Sequence, residues 1–194
     1  MSRVFDRGAI VAAYVGIGMA VTIAISFLLV IPIEPIYWLL ALPAGLLIGY
    51  YANQRSDRRR GPWSRILANA VLAGLATGLT FALLLLAVKA LFFFGDNGYR
   101  PTELGGTITC SGGGDCVYQR YREDNAAELA AAGITDASSF TSFYWGQQLS
   151  SAATVLVLTV IGGLGGGLLY GVFRPKIGPG SVAKPASGSP QGVG

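Results

Sequence analysis

Two cysteines are the residues of this chain whose spacing most directly predicts a chemical bond. Cys110 and Cys116 enclose the stretch Ser-Gly-Gly-Gly-Asp, and thiols at this spacing form a disulfide on the oxidising side of a membrane. Metal or redox use would need further soft ligands, because thiolate zinc and iron–sulfur sites take more than two sulfur atoms. We therefore predict a structural disulfide that fixes a short loop, and no metal site.

The absence of histidine from the sequence excludes several classes of chemistry. His-ligated haem or zinc, Ser-His-Asp catalysis and proton shuttling by imidazole all require it. The long apolar runs also contain no Asp or Glu, so they hold no carboxylate relay for proton or cation coupling. Asn69, Thr77 and Thr80 form a sparse polar trace that fits interhelical hydrogen bonds as well as a pathway. We predict a protein that is not an enzyme and binds no cofactor.

Lys89 is the one charged residue inside an apolar run, apart from Arg65 and Arg174 at the run ends. A lysine near the edge of a membrane span can extend its ammonium group to the interface. The alternative is an ion pair with Glu34, which we place at the same outer boundary. We favour the interfacial lysine, and the ion pair with Glu34 remains the more specific hypothesis.

Small residues recur every four positions in all the apolar runs. Helices in lipid associate through close backbone approach, so these stripes predict packing faces. Packing within one bundle accounts for most of them, but the last run carries glycine on more than one face. That surplus leaves room for a second partner, such as another subunit, a lipid or a rigid cofactor ring. The predicted packing glycines are Gly45, Gly49, Gly74, Gly78, Gly162, Gly163, Gly166, Gly167 and Gly171.

The elements that carry these residues are four apolar runs, which predict an all-α integral membrane protein. The runs cover residues 8–31, 36–52, 64–94 and 149–174. Only 12% of the residues are charged, about half of what soluble domains carry. The first run is longer than the ~7–15 apolar residues of a signal peptide and has no cleavage site after it. We interpret it as a retained anchor that forms a tight hairpin with the second run.

The distribution of charge predicts the orientation of the spans. One side of the predicted membrane holds ten basic residues against Asp6 and Asp57, whereas the other side is net acidic. Both termini are therefore expected in the cytoplasm of a bacterial-type plasma membrane. The basic residues are Arg3, Arg7, Arg55, Arg58, Arg59, Arg60, Arg65, Arg174, Lys176 and Lys184.

Residues 96–148 form the only sizeable segment outside the predicted spans, and residues 175–194 form a Gly-, Pro- and Ser-rich tail. In the outer segment we expect the disulfide and a short helix over 124–133 that Asp124 caps and Gly133 ends. Thr135 or Asp136 would cap a further helix that runs into the fourth span. The outer segment is too small for a large core of its own. We expect a cap on the helix ends, and a flexible cytoplasmic tail.

Together these features favour a non-catalytic accessory or assembly subunit of a larger membrane complex. Its partners would be membrane lipids and other integral membrane subunits, or further copies of itself, and no nucleic acid. The alternative is a small homo-oligomeric channel or transporter, which would need a polar lumen at a subunit interface. A membrane enzyme ranks third, because it would have to rely on isolated polar residues of the outer segment.

Overall fold

A computed structural model describes residues 6–28, 34–56, 61–100 and 102–173, with the side chains of residues 27, 28, 34 and 35 left aside. Within these ranges the chain is helical and contains no strand. The helices are α1 (Arg7–Ile23, followed by a π-helical turn Ala24–Leu28), α2 (Glu34–Gln54), α3 (Trp63–Gly95), α4 (Gly114–Asp124), α5 (Ala126–Ala131) and α6 (Ala137–Phe173). A 3₁₀ turn, Thr102–Leu104, precedes α4.

The expected all-α architecture is confirmed, and α1, α2, α3 and α6 are long and apolar enough to cross a membrane. The predicted hairpin turn at residues 29–33, the arginines at 58–60 and the tail lie outside the described residues, as does Arg3.

The four long helices pack with α2 and α3 in the middle. Both α2 and α3 contact α1 on one side and α6 on the other, while α2 and α3 also contact each other. No packing of α1 on α6 occurs in the described part of the chain. Because the two central helices touch, these helices enclose no wide passage between them.

The two ends of this bundle differ. At one end, which we call the basal end, Gly8 of α1 lies against the backbone of Arg55 and Ser56, and Gly171 of α6 lies against Trp63. Asn53 reinforces this end, because its Nδ2 donates to Gly49 O at 3.0 Å and to Ile66 O at 3.1 Å. The opposite end carries residues 96–100 and 102–136.

The side chains in the bundle interior are small near the basal end and larger near the opposite end. Nearer the basal end, Ala12, Ala52 and Ala73 pack with Ile48. Nearer the other end, Tyr37 and Phe81 meet edge to face with ring centroids 6.3 Å apart. Small residues allow close helix approach at one end, and larger rings fill the space at the other.

Helix α6 begins twelve residues before the predicted fourth span. Asp136 Oδ1 accepts hydrogen bonds from Ser138 N at 2.8 Å and Ser139 N at 2.9 Å, which satisfies the first turn of the helix. No proline follows within α6, so the helix continues unbroken. Its 37 residues extend about 55 Å at ~1.5 Å per residue, well beyond a hydrocarbon core of ~30 Å. The first turns of α6 are the further helix that Asp136 was expected to cap, and this helix continues into the apolar stretch from residue 149, as predicted. They also pack against α4.

The short helix after residue 124 differs from the prediction in its start. Asp124 is the last residue of α4, and Asn125 occupies the N-cap position of α5. Gly133 follows α5 with φ +68°, as expected for a glycine that ends a helix.

Candidate functional site: the glycine interfaces and the outer cap

The closest backbone-to-backbone contact among the described helices is the crossing of α2 and α6. A Cβ atom built on Gly45 would lie 2.1 Å from Thr159 O, and one on Gly49 would lie 2.1 Å from Gly163 O. From the other side, a Cβ on Gly162 would lie 2.2 Å from Leu42 O. Gly166 is equally tight, since its Cβ would come within 2.1 Å of Leu46 O. The glycines of both helices thus bring backbone against backbone, and no side chain fits between them.

A second set of small residues joins α6 to α3. A Cβ on Gly163 would lie 3.0 Å from Ala70 O, and one on Gly167 would lie 2.7 Å from Ala70 Cβ. The α3 glycines are less tight than those of α2: a Cβ on Gly74 would lie 3.3 Å from Thr159 O, and one on Gly78 would lie 3.0 Å from Leu156 Cδ1. The contacts therefore direct two faces of α6 at two neighbouring helices of the same chain.

Most glycines of α6 lie against other helices of the same bundle. Gly171 faces the indole of Trp63, where a Cβ would lie 2.4 Å from two ring carbons. Gly165 is different, because a Cβ there would meet nothing within 4 Å. It lines a shallow apolar cleft of about 410 Å³ together with Leu46, Leu168 and Val172. Among the glycines of residues 149–173, Gly165 is thus the one that leaves room for a second partner, and Gly146 in the first turns of α6 is likewise open.

Side chains from residues 96–100 and 102–136 and from the first turns of α6 pack together over the end of the bundle opposite the basal end, and we call this region the cap. Its centre is Phe140, which is fully buried and lies 5.4 Å from Tyr118 and 5.3 Å from Tyr121, measured between ring centroids. Phe93, at the end of α3, stacks on Tyr144 of α6 at 4.8 Å. Aromatic rings from α3, α4 and α6 thus form one cluster, which attaches the cap to the helices below it.

The disulfide lies at the start of α4. Cys110 and Cys116 are bonded, with their Cα atoms 5.2 Å apart, and Gly98 packs so closely that a Cβ there would come within 2.7 Å of Cys110 Sγ. The loop between them turns through Gly112 and Gly113, whose φ angles are +106° and +57°. Such left-handed backbone favours glycine over other residues.

One carboxylate closes the disulfide loop. Asp115 Oδ2 accepts hydrogen bonds from the backbone N of Ser111 at 3.0 Å and from its Oγ at 3.1 Å. These bonds, the backbone one first, hold the pKa of Asp115 below its usual value. The carboxylate is therefore ionised at neutral pH and serves to hold the loop.

Two ion pairs connect the loops of the cap to α4. Arg100 pairs with Glu123, and Arg100 Nε also donates to Gly106 O at 2.9 Å. Arg120 Nη2 donates to Asp96 Oδ1 at 2.8 Å and to Tyr99 O at 3.0 Å. Asp96 Oδ1 accepts a further bond from Gly98 N at 2.8 Å. The second pair thus fixes the loop that leaves α3.

A cleft of about 580 Å³ opens beside this second ion pair. Its lower wall is Leu91 and Phe92, both more than half exposed near the end of α3. Its upper wall is polar and includes Asp96 and Arg120, while Tyr144 and Tyr99 supply aromatic surface. The cleft is therefore apolar on the side of the helices and polar on the side of the cap. No local sequence pattern predicts this cleft, because its walls come from three separate segments.

Lys89 lies on α3 at the level of Gln148 on α6. The antiparallel contact runs from Gly74 opposite Gly163 to Phe93 opposite Tyr144, so each step along α3 matches one step back along α6. Gln148 is only 4% exposed, and its Oε1 has no hydrogen-bond partner among the described residues. Glu34 is the first residue of α2, but its side chain lies outside the described part. The Lys89–Glu34 pair therefore stays a prediction.

The polar trace on α3 forms no continuous path. Thr77 Oγ1 bonds to Ala73 O at 2.9 Å and Thr80 Oγ1 to Ala76 O at 2.8 Å, so both hydroxyls are bonded within their own helix. Asn69 is buried, and its Oδ1 has no partner in the described ranges. In these ranges no cluster of His, Cys, Asp and Glu could hold a metal ion.

In comparisons with known proteins, no family model, no curated protein and no solved structure matches this chain significantly.

Proposed function

We propose that this chain is a multi-pass protein of a bacterial-type plasma membrane with both termini in the cytoplasm. Large apolar side chains are exposed on all four long helices, as expected where lipid surrounds them. They include Tyr14, Leu39, Leu47, Leu83, Ile161 and Val172. The basal end carries Arg7, Arg55 and Arg65, and the cap carries the disulfide. This distribution agrees with the rule that positive charge stays inside, and with an oxidising outer side.

Within that membrane we propose that the protein is a non-catalytic accessory or assembly subunit of a larger complex. The observation that carries this proposal is the outer surface of α5, which we call the alanine face: Ala126, Ala127, Ala130, Ala131 and the following Ala132, all exposed. The remaining side chains of α5 are engaged, since Leu129 is buried and Glu128 accepts hydrogen bonds from Tyr121 and Gln147.

An uncharged face on a helix outside the hydrocarbon core needs an explanation. Surface helices normally present polar side chains to water, and contiguous exposed apolar surface marks interaction sites. Alanine also loses no rotamer freedom when a partner covers it. The alanine face therefore suits a protein surface that packs flat against the cap.

The glycine contacts also support an accessory role. Because α2 and α3 occupy the two glycine faces of α6, a partner would meet the cap or the lipid-facing side chains instead. A homo-oligomeric channel or transporter would need its polar lumen between copies, where the exposed helix surfaces are apolar. The accessory role is the better fit.

Native mass spectrometry of the protein purified from its own membrane in mild detergent tests the proposal. We expect a stoichiometric complex with other polypeptides that Ala127→Glu and Ala130→Glu reduce at least tenfold. Thr107→Glu, an equal charge at an exposed position elsewhere in the cap, should leave the complex intact. A homo-oligomer without other polypeptides, or equal loss with all three variants, would contradict the proposal.

A further inference from the structure

The cleft beside Arg120 has the chemical layout of a binding site for an amphiphile. It spans the point where α3 ends: Leu91 and Phe92 belong to the last apolar turns of the helix, and Asp96 and Arg120 lie above them. A phospholipid presents the same order, with acyl chains in the membrane and a phosphate at its surface. The inference rests on the membrane insertion proposed above and is independent of any protein partner.

The guanidinium of Arg120 is held in place but only partly used. Among the described residues both of its hydrogen bonds start from Nη2, and Nε has no partner. The side chain remains 40% exposed. Arg120 lines the cleft, and within the described residues Nη1 makes no hydrogen bond. Phosphate oxygen is the acceptor that arginine binds best.

Asp96 determines which headgroup fits. It lies beside Arg120 in the wall of the cleft, so the two charges nearly cancel and the site attracts no net anion. A headgroup with both a phosphate and an ammonium group complements this pair, with phosphate at Arg120 and ammonium at Asp96. Aromatic faces such as those of Tyr99 and Tyr144 add attraction for the ammonium.

From this geometry we propose that the cleft binds a zwitterionic phospholipid of the phosphoethanolamine type, with its chains along Leu91 and Phe92. The contact would hold one lipid at the junction of cap and bundle. An anionic lipid such as phosphatidylglycerol would lose the contact to Asp96 and meet its negative charge instead.

Lipid retention measured by native mass spectrometry tests this assignment. The full-length protein is delipidated in detergent and then given phosphatidylethanolamine or phosphatidylglycerol at equal concentration. We expect about tenfold higher occupancy by phosphatidylethanolamine, since one charge-assisted hydrogen bond separates the two lipids. Inorganic phosphate and soluble glycerophosphoethanolamine, added separately, should fail to displace the lipid. Displacement by either would indicate a site for a soluble phosphate compound and overturn the lipid assignment.

Asp96→Asn is the variant that separates recognition from a structural role. Its amide oxygen can still accept the bonds from Arg120 and Gly98, but the negative charge is gone. We therefore expect the preference for phosphatidylethanolamine to be lost, because its ammonium group loses the charged acceptor and the repulsion of phosphatidylglycerol disappears. Glu103→Gln, the same charge change at an exposed residue outside the cleft, should keep the original preference. An unchanged preference in Asp96→Asn would overturn the proposal.

A second variant and an extraction assay keep the outcomes distinct. Arg120→Gln should lower the occupancy of both lipids. Equal occupancy in this variant and the wild type would also overturn the proposal. Extraction of membranes with alkaline carbonate shows whether the chain is inserted at all: release of the protein would refute membrane insertion and the lipid site together, whereas retention without lipid preference would refute the lipid site alone.

Discussion

A single methyl group added to α6 should have opposite effects at two glycines three residues apart. At Gly162 a Cβ atom would lie 2.2 Å from Leu42 O, 3.0 Å from Leu46 N and 3.1 Å from Leu42 C, all of them backbone atoms of α2. At Gly165 nothing lies within 4 Å of the added atom. The two substitutions share the helix, the chemistry and the gain in helix propensity. Only the contact with α2 differs.

The size of the effect follows from these distances. An ordinary Cβ contact begins at 3.4 Å, so Gly162→Ala must move α2 and α6 apart by roughly an ångström, since no flexible side chain can yield. Overpacking of this kind costs about 1–3 kcal/mol, and neighbouring close contacts such as that of Gly166 weaken with it. Replacing glycine by alanine inside a helix returns about 1 kcal/mol. We therefore expect Gly162→Ala to lower the free energy of unfolding by up to about 2 kcal/mol, and Gly165→Ala to leave it unchanged or raise it by up to about 1 kcal/mol.

Reversible unfolding in mixed micelles with increasing SDS measures this difference, with helicity followed by circular dichroism. Gly166→Ala serves as a second contact variant, because its Cβ would lie 2.1 Å from Leu46 O. Equal stability of Gly162→Ala and Gly165→Ala would refute the close crossing of α2 and α6. Loss of stability at Gly165 alone would show that α6 is rotated from the position described.

Three further predictions concern the cap. Phe140→Ala should lower the stability of the cap by about 3–5 kcal/mol. Phe94→Ala, at a ring that is 70% exposed, should lower it much less. Thermal unfolding followed by near-UV circular dichroism compares the two variants. Replacing Cys110 and Cys116 by serine should cost about 2 kcal/mol, the closure entropy of so short a loop, and added reductant should lower the wild-type melting temperature but not that of the variant. The hydrogen bond from Ser139 N, foremost among several, lowers the pKa of Asp136 in the folded cap. The stabilisation that this carboxylate provides should therefore be complete above the ordinary value of 3.8 and disappear as the pH falls through the folded-state pKa. Asp136→Asn should make the melting temperature less sensitive to acid in that range.

The long helices could be predicted from the sequence because lipid-compatible composition is a strong signal. The start of α6 needed a second signal, because hydropathy marks where a helix becomes apolar and not where it begins. Nothing between Ala137 and the predicted start at residue 149 breaks a helix, and Asp136 provides its cap. The cap at Thr135 or Asp136 supplied that signal, because it predicted a helix that runs into the fourth apolar run, and α6 begins at Ala137.

Helix α4 was missed for a different reason. Its residues are mostly polar and follow a run of glycines, so no apolar period identifies them. The helix is stabilised by contacts that only the fold reveals, above all Tyr118 and Tyr121 against Phe140. The cleft beside Arg120 was missed for the same reason, because its acidic and basic walls are 24 residues apart in the chain. Local patterns predict elements, whereas a site of this kind depends on how the elements meet.

The glycines of α6 show what a stripe of small residues can and cannot indicate. Successive residues of an α-helix point about 100° apart, so Gly162 and Gly166 necessarily face another direction than Gly163 and Gly167. From the sequence this surplus was compatible with a second partner, because the period of a stripe gives no information on what faces it. In the fold, α2 and α3 flank α6 and take one stripe each. A helix packed between two neighbours needs two glycine faces, and recognition of any further protein then depends on surfaces that the bundle leaves exposed, such as the alanine face of the cap.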